Sequence, residues 1–410
     1  MQIGKKQHLH LTYCTNIHPG ENWQQVFTNL KQYIPALKSR LSPEKPFGIG
    51  LRLANLAARE LQLGENLNDL QKWLNAENLY IFTLNGFPYG NFHHQRVKDQ
   101  VYAPDWSKPE RLEYTLNLTQ ILAEILPVGL EGSISTLPIS YKPWFKDDIN
   151  AQTNLLNLAI VNLAKITAAM IEIRQNTGKL IHLDLEPEPD GWIENTAEVI
   201  DFFQNQLIPI GGKYLAQELG INLNLATEYL LEHIRVCYDT CHFAVAYENP
   251  ILAIQQLQSA GIKIGKFQLS AALKIDLHTE SVEHSYLQDK LTPFAESTYL
   301  HQVIARNQNN QLHHYSDLEI ALPELPKTTD IEWRTHFHVP IFISDYQLLK
   351  STQEDIIAVL NFLQNHPISQ HLEIETYTWD VLPAGMKVDL LTSIQREYEW
   401  ILKNLIITND

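Results

Sequence analysis

The stretch KLIHLDLEP (179–187) alternates without a break, and this alternation decides the fold. Ile181, Leu183 and Leu185 share one parity, while His182, Asp184 and Glu186 share the other. Successive side chains of a strand point to opposite faces. The leucines therefore predict a face packed on helices, and the polar set predicts a face lining a barrel interior. The pattern recurs in HLEIETY (371–377), with Leu372 and Ile374 outward and His371, Glu373 and Glu375 inward. GKFQLSA (265–271) turns Lys266, Gln268 and Ser270 inward, and RVCYDT (235–240) does the same with Asp239. HLHLTYC (8–14) sets Leu9 and Leu11 against His8, His10 and Thr12. FGIGLRL (47–53) turns Arg52 inward, LYIFTLN (79–85) turns Asn85 inward, and GSISTLP (132–138) completes eight candidate strands.

Helical patterns separate most of these runs, among them WQQVFTNLKQYIPALKSRL (23–41), LEYTLNLTQILAEIL (112–126) and NPILAIQQLQSAG (249–261). Strands alternating with helices predict an α/β chain, here a (β/α)8 TIM barrel forming a single domain over 1–410. An open doubly wound sheet usually opens on a glycine-rich turn, and no GxGxxG occurs. Two connections are much longer than barrel loops usually are: about 86–111 after the third strand, and the polar, histidine-rich 274–335 after the seventh. Loops of this length in a compact domain are commonly lids or binding loops.

Composition narrows the function classes. Hydrophobic residues are 44% and charged residues 19%, which is globular usage. A net charge of −16 disfavours a phosphate-backbone binder, whose affinity comes from Lys and Arg releasing counterions. No nucleic-acid partner is expected. Cys14, Cys237 and Cys241 form no CxxC and are odd in number, which predicts neither a disulfide framework nor a zinc ribbon and fits a cytoplasmic location. The first residues lack a long apolar core, so no secretory signal is expected. The longest apolar run, LLNLAIVNLAKITAAMIEI (155–173), is broken by Asn and Lys and reads as a buried helix, so no membrane insertion is expected.

Asn85, Glu186, Asp239, Gln268 and Glu375 fall at the C-terminal ends of their strands, where barrel enzymes keep their active sites. Isolated buried carboxylates cost several kcal/mol each, so they demand cations, a metal or a wet mouth. Glu186, Asp239 and Glu375, with Gln268 as a neutral oxygen donor, are candidate ligands of a divalent metal ion such as Mn, Mg, Zn or Co. The alternative is that Asp184, Glu186, Glu373 and Glu375 pair with Arg52, Lys266 and inward histidines as a buried ion network. His242, three residues beyond Asp239, is either a capping residue or a ligand. His336 and His338 sit at i, i+2 in THFHVPIF (335–342), share a face if extended, and can chelate.

LDLEP with Glu186, YDTCHF with Asp239 and His242, KFQLS with Gln268 and LEIET with Glu375 resemble the site of the xylose-isomerase-like TIM-barrel superfamily. That group holds sugar isomerases, ketose 3-epimerases and endonuclease-IV-type apurinic endonucleases. The resemblance implies metal ligation by Glu186, Asp239 and Glu375, with Gln268 in a slot that often carries His. It implies a substrate contact or second-metal role for His242, and makes His336 and His338 similar to the Asp-x-His pair of the endonucleases. More narrowly, HLTYCTNIHPGENW (10–23), VYAPDW (101–106) and FHVPIF (337–342) resemble the metabolite traffic protein EboE family over essentially the whole chain. That family implies a functional link to a membrane prenyltransferase-like protein and to secondary-metabolite processing, with no established reaction.

Three functions compete. A metal-dependent isomerase or epimerase would act on a sugar-like or polyol-like metabolite. Glu186 and Glu375 would serve as base and acid, and Arg52, Asn85, Lys266, His242, His336 and His338 would contact substrate. A phosphodiester hydrolase needs a fuller histidine set than this chain shows, since its third strand ends in Asn85 and not His. A binder without chemistry would keep only the barrel mouth.

Overall fold

The structure, a computed structural model, describes residues 1–4, 8–93, 95–277, 284–346, 348–382 and 389–407. Each of the eight candidate strands forms: Leu9–Tyr13, Phe47–Arg52, Leu79–Asn85, Gly132–Thr136, Ile181–Leu185, Ile234–Asp239, Ile264–Leu269 and His371–Ile374. They are parallel, and the hydrogen-bonded order runs from the first through the eighth and back down to the second. A short antiparallel strand, Gln2–Ile3, flanks the first. The seam between first and second strands is closed by a parallel bridge from Cys14 to Gly50 and by side chains. Thr12 Oγ1 donates to the Gly48 carbonyl at 3.1 Å and accepts the Gly50 N–H at 2.7 Å, and Thr15 Oγ1 accepts the Arg52 N–H at 2.8 Å. The result is a (β/α)8 barrel.

Helices cover the outside. Trp23–Leu41 starts on a reciprocal cap between Asn22 and Gln25. Pro109–Ile125, Leu223–His233, Pro250–Ser259 and Gln353–Asn365 turn their buried leucines and isoleucines toward the sheet. The helix Ile149–Thr177 is long and apolar enough to cross a membrane by length and composition. Its apolar residues Leu155, Ile160, Leu163, Ile166 and Met170 are buried against neighbouring helices and the barrel.

The 274–335 stretch, expected as a polar loop, supplies strands to an antiparallel sheet with short helices such as His284–Leu291 between them; 278–283 lies outside the described residues. Its order is Leu312–Tyr315, Val303–Asn307, Asp330–Val339, Ala271–Asp276, Leu349–Ser351, Asp345–Tyr346. Leu273, Ile275, Val303, Ala305 and Trp333 give it a buried face, at period 2 within segments too short and too polar outside to announce a sheet.

The barrel interior is polar, as the parity predicts, and its acids sort by height. Asp184 is hydrogen-bonded by Ser133 Oγ and His182 Nδ1, both at 2.6 Å. Glu373 takes Lys266 Nζ at 2.6 Å, with both side chains wholly buried, and Lys266 also donates to Ser135 at 3.0 Å. Burial works to discharge Lys266, but the Glu373 carboxylate outweighs it and holds the ammonium charged. Gly50 makes room for this pair, because a Cβ there would stand 2.0 Å from Glu373 Oε1 and 2.8 Å from the Tyr13 carbonyl. A bulge at the seventh strand makes similar room beside Asp184, where a Cβ on Gly265 would stand 2.0 Å from its Oδ1.

Two stability predictions follow from these buried charges. Lys266→Met should destabilise the protein by about 3–5 kcal/mol, because it strands Glu373 without a partner. Adding Glu373→Leu should restore most of that loss in urea unfolding; a double variant no more stable than the single one would show that the pair does not govern the interior. Glu397, buried on the C-terminal helix Leu390–Ile407, accepts Thr376 Oγ1 at 2.7 Å, and burial pushes its pKa up to about 8 from 4.5. Between these values the folded chain keeps a proton that the unfolded chain has lost, so stability falls as pH rises across that window. Glu397→Gln should show a shallower fall in Tm from about pH 5 to about pH 8 than the parent; parallel slopes would refute the assignment.

Candidate metal and substrate site

The C-terminal ends of the strands open into a pocket lined by Glu186, Glu188, His242, His336, His338 and Glu375 among others. Glu186, just past the fifth strand, is aligned by its N–H on the Thr136 carbonyl at 3.0 Å. Asp239 ends the sixth strand and also caps the short helix Thr240–Val245, its Oδ1 accepting the Cys241 and His242 N–H groups at 2.8 and 3.2 Å and Ser270 Oγ at 2.5 Å. This cap turns His242 back into the mouth, which the sequence left open. Glu375 Oε1 accepts amide protons from Asn16 at 2.9 Å and Asn85 at 3.1 Å. His336 and His338 come from the strand Asp330–Val339 of the second sheet, which carries both buried side chains into the same pocket.

Three histidines are set in one tautomer by their surroundings. His242 Nδ1 lies 3.1 Å from the Pro187 carbonyl, and His338 Nδ1 lies 2.8 Å from the Glu375 carbonyl. His336 Nδ1 lies 2.9 Å from Gln302 Oε1, whose amide is fixed by Nε2 donating to the Pro189 carbonyl at 3.0 Å. Each partner oxygen only accepts, so each Nδ1 carries the proton and each Nε2 is a bare lone pair. His242 Nε2 and His338 Nε2 face each other at 3.4 Å, and His336 Nε2 has no hydrogen-bond partner. Glu186 Oε2, Glu188 Oε1 and Asp239 Oδ2 are likewise buried without one. Four groupings hold ligand atoms within 4.8 Å of one another: Glu186–Asp239–Glu375, Asp239–His242–His338, Glu188–His242–His336 and Cys241–His336–His338. Converging carboxyl oxygens and imidazole nitrogens, on ligands oriented by outer hydrogen bonds, fit a divalent cation.

The acids perturb one another. Burial, then the Asp239 and Glu188 charges, lifts Glu186 well above the usual carboxylate range. Burial, then Glu186 and Asp239, does the same to Glu375. Burial lifts Glu188 to about 8. Burial also works against the charge on Asp239, but the adjoining His242 and His338 together with hydrogen bonds from the Ser270 hydroxyl and the Glu375 carboxyl outweigh it and hold the carboxyl below its usual value. Burial drops His242 to about 4 and carries His336 and His338 down as well, which keeps the imidazoles neutral.

Of the residues expected at the site, Glu186, Asp239, Glu375, His242, His336, His338 and Asn85 come together. Asn85 reaches the pocket as a brace, its Oδ1 accepting the Phe87 N–H at 3.1 Å and its amide held by Glu375. Three do not join them. Lys266 is spent on Glu373 below the floor. Arg52 donates to the Gly20 carbonyl at 2.8 Å and to Glu21 at 3.3 Å, off the pocket lining. Gln268 is buried beside Asp239 with its carbonyl taken by Cys237 Sγ at 3.1 Å, not presented to the pocket. Sequence reasoning missed Glu188 and Asn16. The signal for Glu188 was the doubled acid in EPEPD (186–190), whose second member lies past the strand end, where parity no longer assigns a face.

The two long connections meet above the site. The Val97 and Lys98 N–H groups both donate to the Thr298 carbonyl, at 2.8 and 2.9 Å. Tyr299 Oη donates to the Phe92 carbonyl at 3.2 Å, and Lys98 Nζ pairs with Asp317 at 2.6 Å.

No protein-family model matches the chain, and no curated protein matches it. Among solved structures the chain is similar to the probable 3-DHS dehydratase AsbF involved in petrobactin synthesis from Bacillus anthracis, at 12% identity and a TM-score of 0.43, covering 95% of this chain and 98% of that one. It is similar to an IOLI protein with a bound zinc atom, at 10% identity and a TM-score of 0.44, covering 97% and 98%. It is similar to a xylose isomerase domain protein from Planctomyces limnophilus, at 10% identity and a TM-score of 0.42, covering 88% of each chain. At such identities the chemistry of the site rests on this chain's own side chains.

Proposed function

We propose that the protein is a metal-dependent enzyme of the isomerase or epimerase kind, acting on a sugar-like or polyol-like small molecule. The observation that carries this reading is the convergence of unpartnered carboxylate oxygens and bare Nε2 atoms at 3–5 Å in one buried pocket. Glu186, Asp239 and Glu375 would hold one divalent ion, and His242, His336 and His338 with Asp239 or Glu188 offer room for a second. A bound ion supplies Lewis-acid polarisation of a hydroxyl or carbonyl oxygen. The chain's own residues do the rest. Glu186 and Glu375 flank the pocket from the fifth and eighth strands, where carboxyl groups can take and return a proton at a substrate carbon held between them. Asn16 and Asn85 hold Glu375 in place, and the joined connections lie over the pocket.

The finer resemblance to the metabolite traffic protein EboE family sits within this proposal. It would place the chain in the cytoplasm, in secondary-metabolite processing or traffic, with a functional link to a membrane prenyltransferase-like protein. The histidine trio gives a second reading, phosphodiester hydrolysis of the endonuclease type, its specific support.

The purified protein should bind a divalent ion after EDTA stripping and retitration. Glu186→Gln and Asp239→Asn should each weaken that binding at least about tenfold while leaving circular dichroism unchanged. With metal restored, a substrate should take up solvent deuterium at the carbon between its two polarised oxygens. Unchanged metal binding in both variants would falsify the site. Metal binding without any carbon–hydrogen exchange would leave a binder, and cleavage of abasic DNA would select the second reading.

A further inference from the structure

Three tyrosines line the pocket among the described residues: Tyr102, Tyr299 and Tyr377. Two have committed hydroxyls. Tyr299 Oη donates to the Phe92 carbonyl at 3.2 Å, and Tyr102 Oη donates to the Pro189 carbonyl at 3.4 Å. The Tyr377 hydroxyl has no hydrogen-bond partner among the described residues. Unlike the partnerless hydroxyls of Tyr238 and Tyr398, which are wholly buried off the pocket lining, it belongs to a partly exposed side chain whose opening is the pocket.

The phenol is nevertheless held still. Its ring lies 4.7 Å from His338, 5.0 Å from Tyr299 and 5.5 Å from Phe92, centroid to centroid. The residues beside it in the chain are pinned as well. The Glu375 carbonyl accepts His338 Nδ1 at 2.8 Å, Thr376 Oγ1 donates to Glu397 at 2.7 Å, and Thr378 Oγ1 donates to the His338 carbonyl at 2.5 Å. Tyr377 thus opens the short turn Tyr377–Asp380 from between anchored residues. A side chain so fixed has already lost the rotamer freedom that binding a ligand otherwise removes. A phenol keeps its proton at neutral pH, so this oxygen can donate. Phenylalanine would pack here as well as tyrosine does. A fixed polar group left without a partner beside a pocket is the kind that orients a ligand. Its ring neighbour His338 and its chain neighbour Glu375 both line the same pocket, so a ligand held by them comes next to the phenol.

We propose that Tyr377 contacts the substrate, its hydroxyl donating a hydrogen bond to an oxygen of the sugar-like or polyol-like ligand. As a carbon of that ligand gives up its proton to a pocket carboxylate, the electron pair left behind moves onto the adjoining oxygen, and the phenol's hydrogen bond to that oxygen strengthens. This second step rests on the isomerase reading above; the contact itself rests on the partnerless hydroxyl and the pinned ring.

The test is Tyr377→Phe, which keeps the ring and removes one oxygen. Full-length parent and variant, each metal-loaded and metal-free, are titrated calorimetrically with D-fructose, D-tagatose, L-sorbose and myo-inositol. Metal content should match the parent's. For the probe that binds best, the variant should bind about threefold to tenfold more weakly, the size of one neutral hydrogen bond. One monodeoxy analogue of that probe should bind parent and variant alike, because it lacks the oxygen that meets the phenol; a merely structural hydroxyl would weaken every analogue equally. Where the probe takes up solvent deuterium, exchange in the variant should fall by at least about tenfold beyond the loss of binding. Equal affinity in parent and variant overturns the proposal. So does an equal loss for every deoxy analogue, or the failure of all the probes to bind the parent. Exchange that falls no further than binding overturns the second step alone. If the metal does not load but the variant still weakens binding in the metal-free protein, the metal reading fails and this contact stands; if the metal loads and the variant binds as the parent does, the reverse holds.

Discussion

The Lys266–Glu373 ion pair, sealed in the barrel with neither side chain exposed, sets the terms for everything above it. A barrel interior is usually filled with branched apolar residues. This one carries acids at two heights, and a buried acid without a partner costs several kcal/mol. The lower acids are satisfied from within: Glu373 by Lys266, and Asp184 by His182 and Ser133. Because Lys266 is consumed there, its charge reaches Glu186 only as a field, and burial together with Asp239 and Glu188 overrides it. The upper acids are left to each other and to whatever enters the pocket. The ion network that the sequence allowed as an alternative is therefore real, but it stops one level below the mouth.

Orientation is supplied by the backbone. Asp239 serves both as a helix cap and as a member of the acid and histidine cluster beneath the pocket, so its Oδ1 fixes the turn that delivers His242. Carbonyls of Pro187 and Glu375 and the amide oxygen of Gln302 set the ring flips of His242, His338 and His336. Two of those three acceptors belong to the strand ends that carry the acids themselves, so the histidines and the carboxylates cannot shift independently. Such coupling lets loops and a second sheet contribute to a site with the precision of the barrel.

Period-2 alternation made the barrel legible, because Ile181, Leu183 and Leu185 face helices while His182, Asp184 and Glu186 face inward; in the third strand, by contrast, a register shift brings both Phe82 and Asn85, of opposite parity, inside. Parity assigns a face but not a height. It placed Lys266, Gln268 and Arg52 inward, where they are, yet could not say that Lys266 sits under the floor or that Arg52 turns away to Glu21. It could not reach beyond the strands, so Glu188 and Asn16 went unread. The second sheet was illegible for a different reason. VIARN and LHHY are five and four residues long, with polar side chains on the open face, and the buried face that defines the sheet forms only when VIARN pairs with Asp330–Val339, itself paired to Ala271–Asp276 some sixty residues earlier in the sequence.

A dry site cannot hold Glu186, Glu188, Asp239 and Glu375 all ionised. Without a cation, the structure resolves the conflict with protons: Glu186, Glu188 and Glu375 are pushed up while Asp239 alone is pulled down. Protons do not resolve the imidazoles, because a proton on His242 or His338 Nε2 would make a buried imidazolium, and burial holds both below their ordinary pKa. Two bare Nε2 atoms at 3.4 Å therefore repel, and a divalent ion is the species that relieves both conflicts at once by accepting nitrogen lone pairs while displacing the carboxyl protons. The arrangement is a poor one for a protein that keeps its mouth empty and a coherent one for a protein that loads a cation.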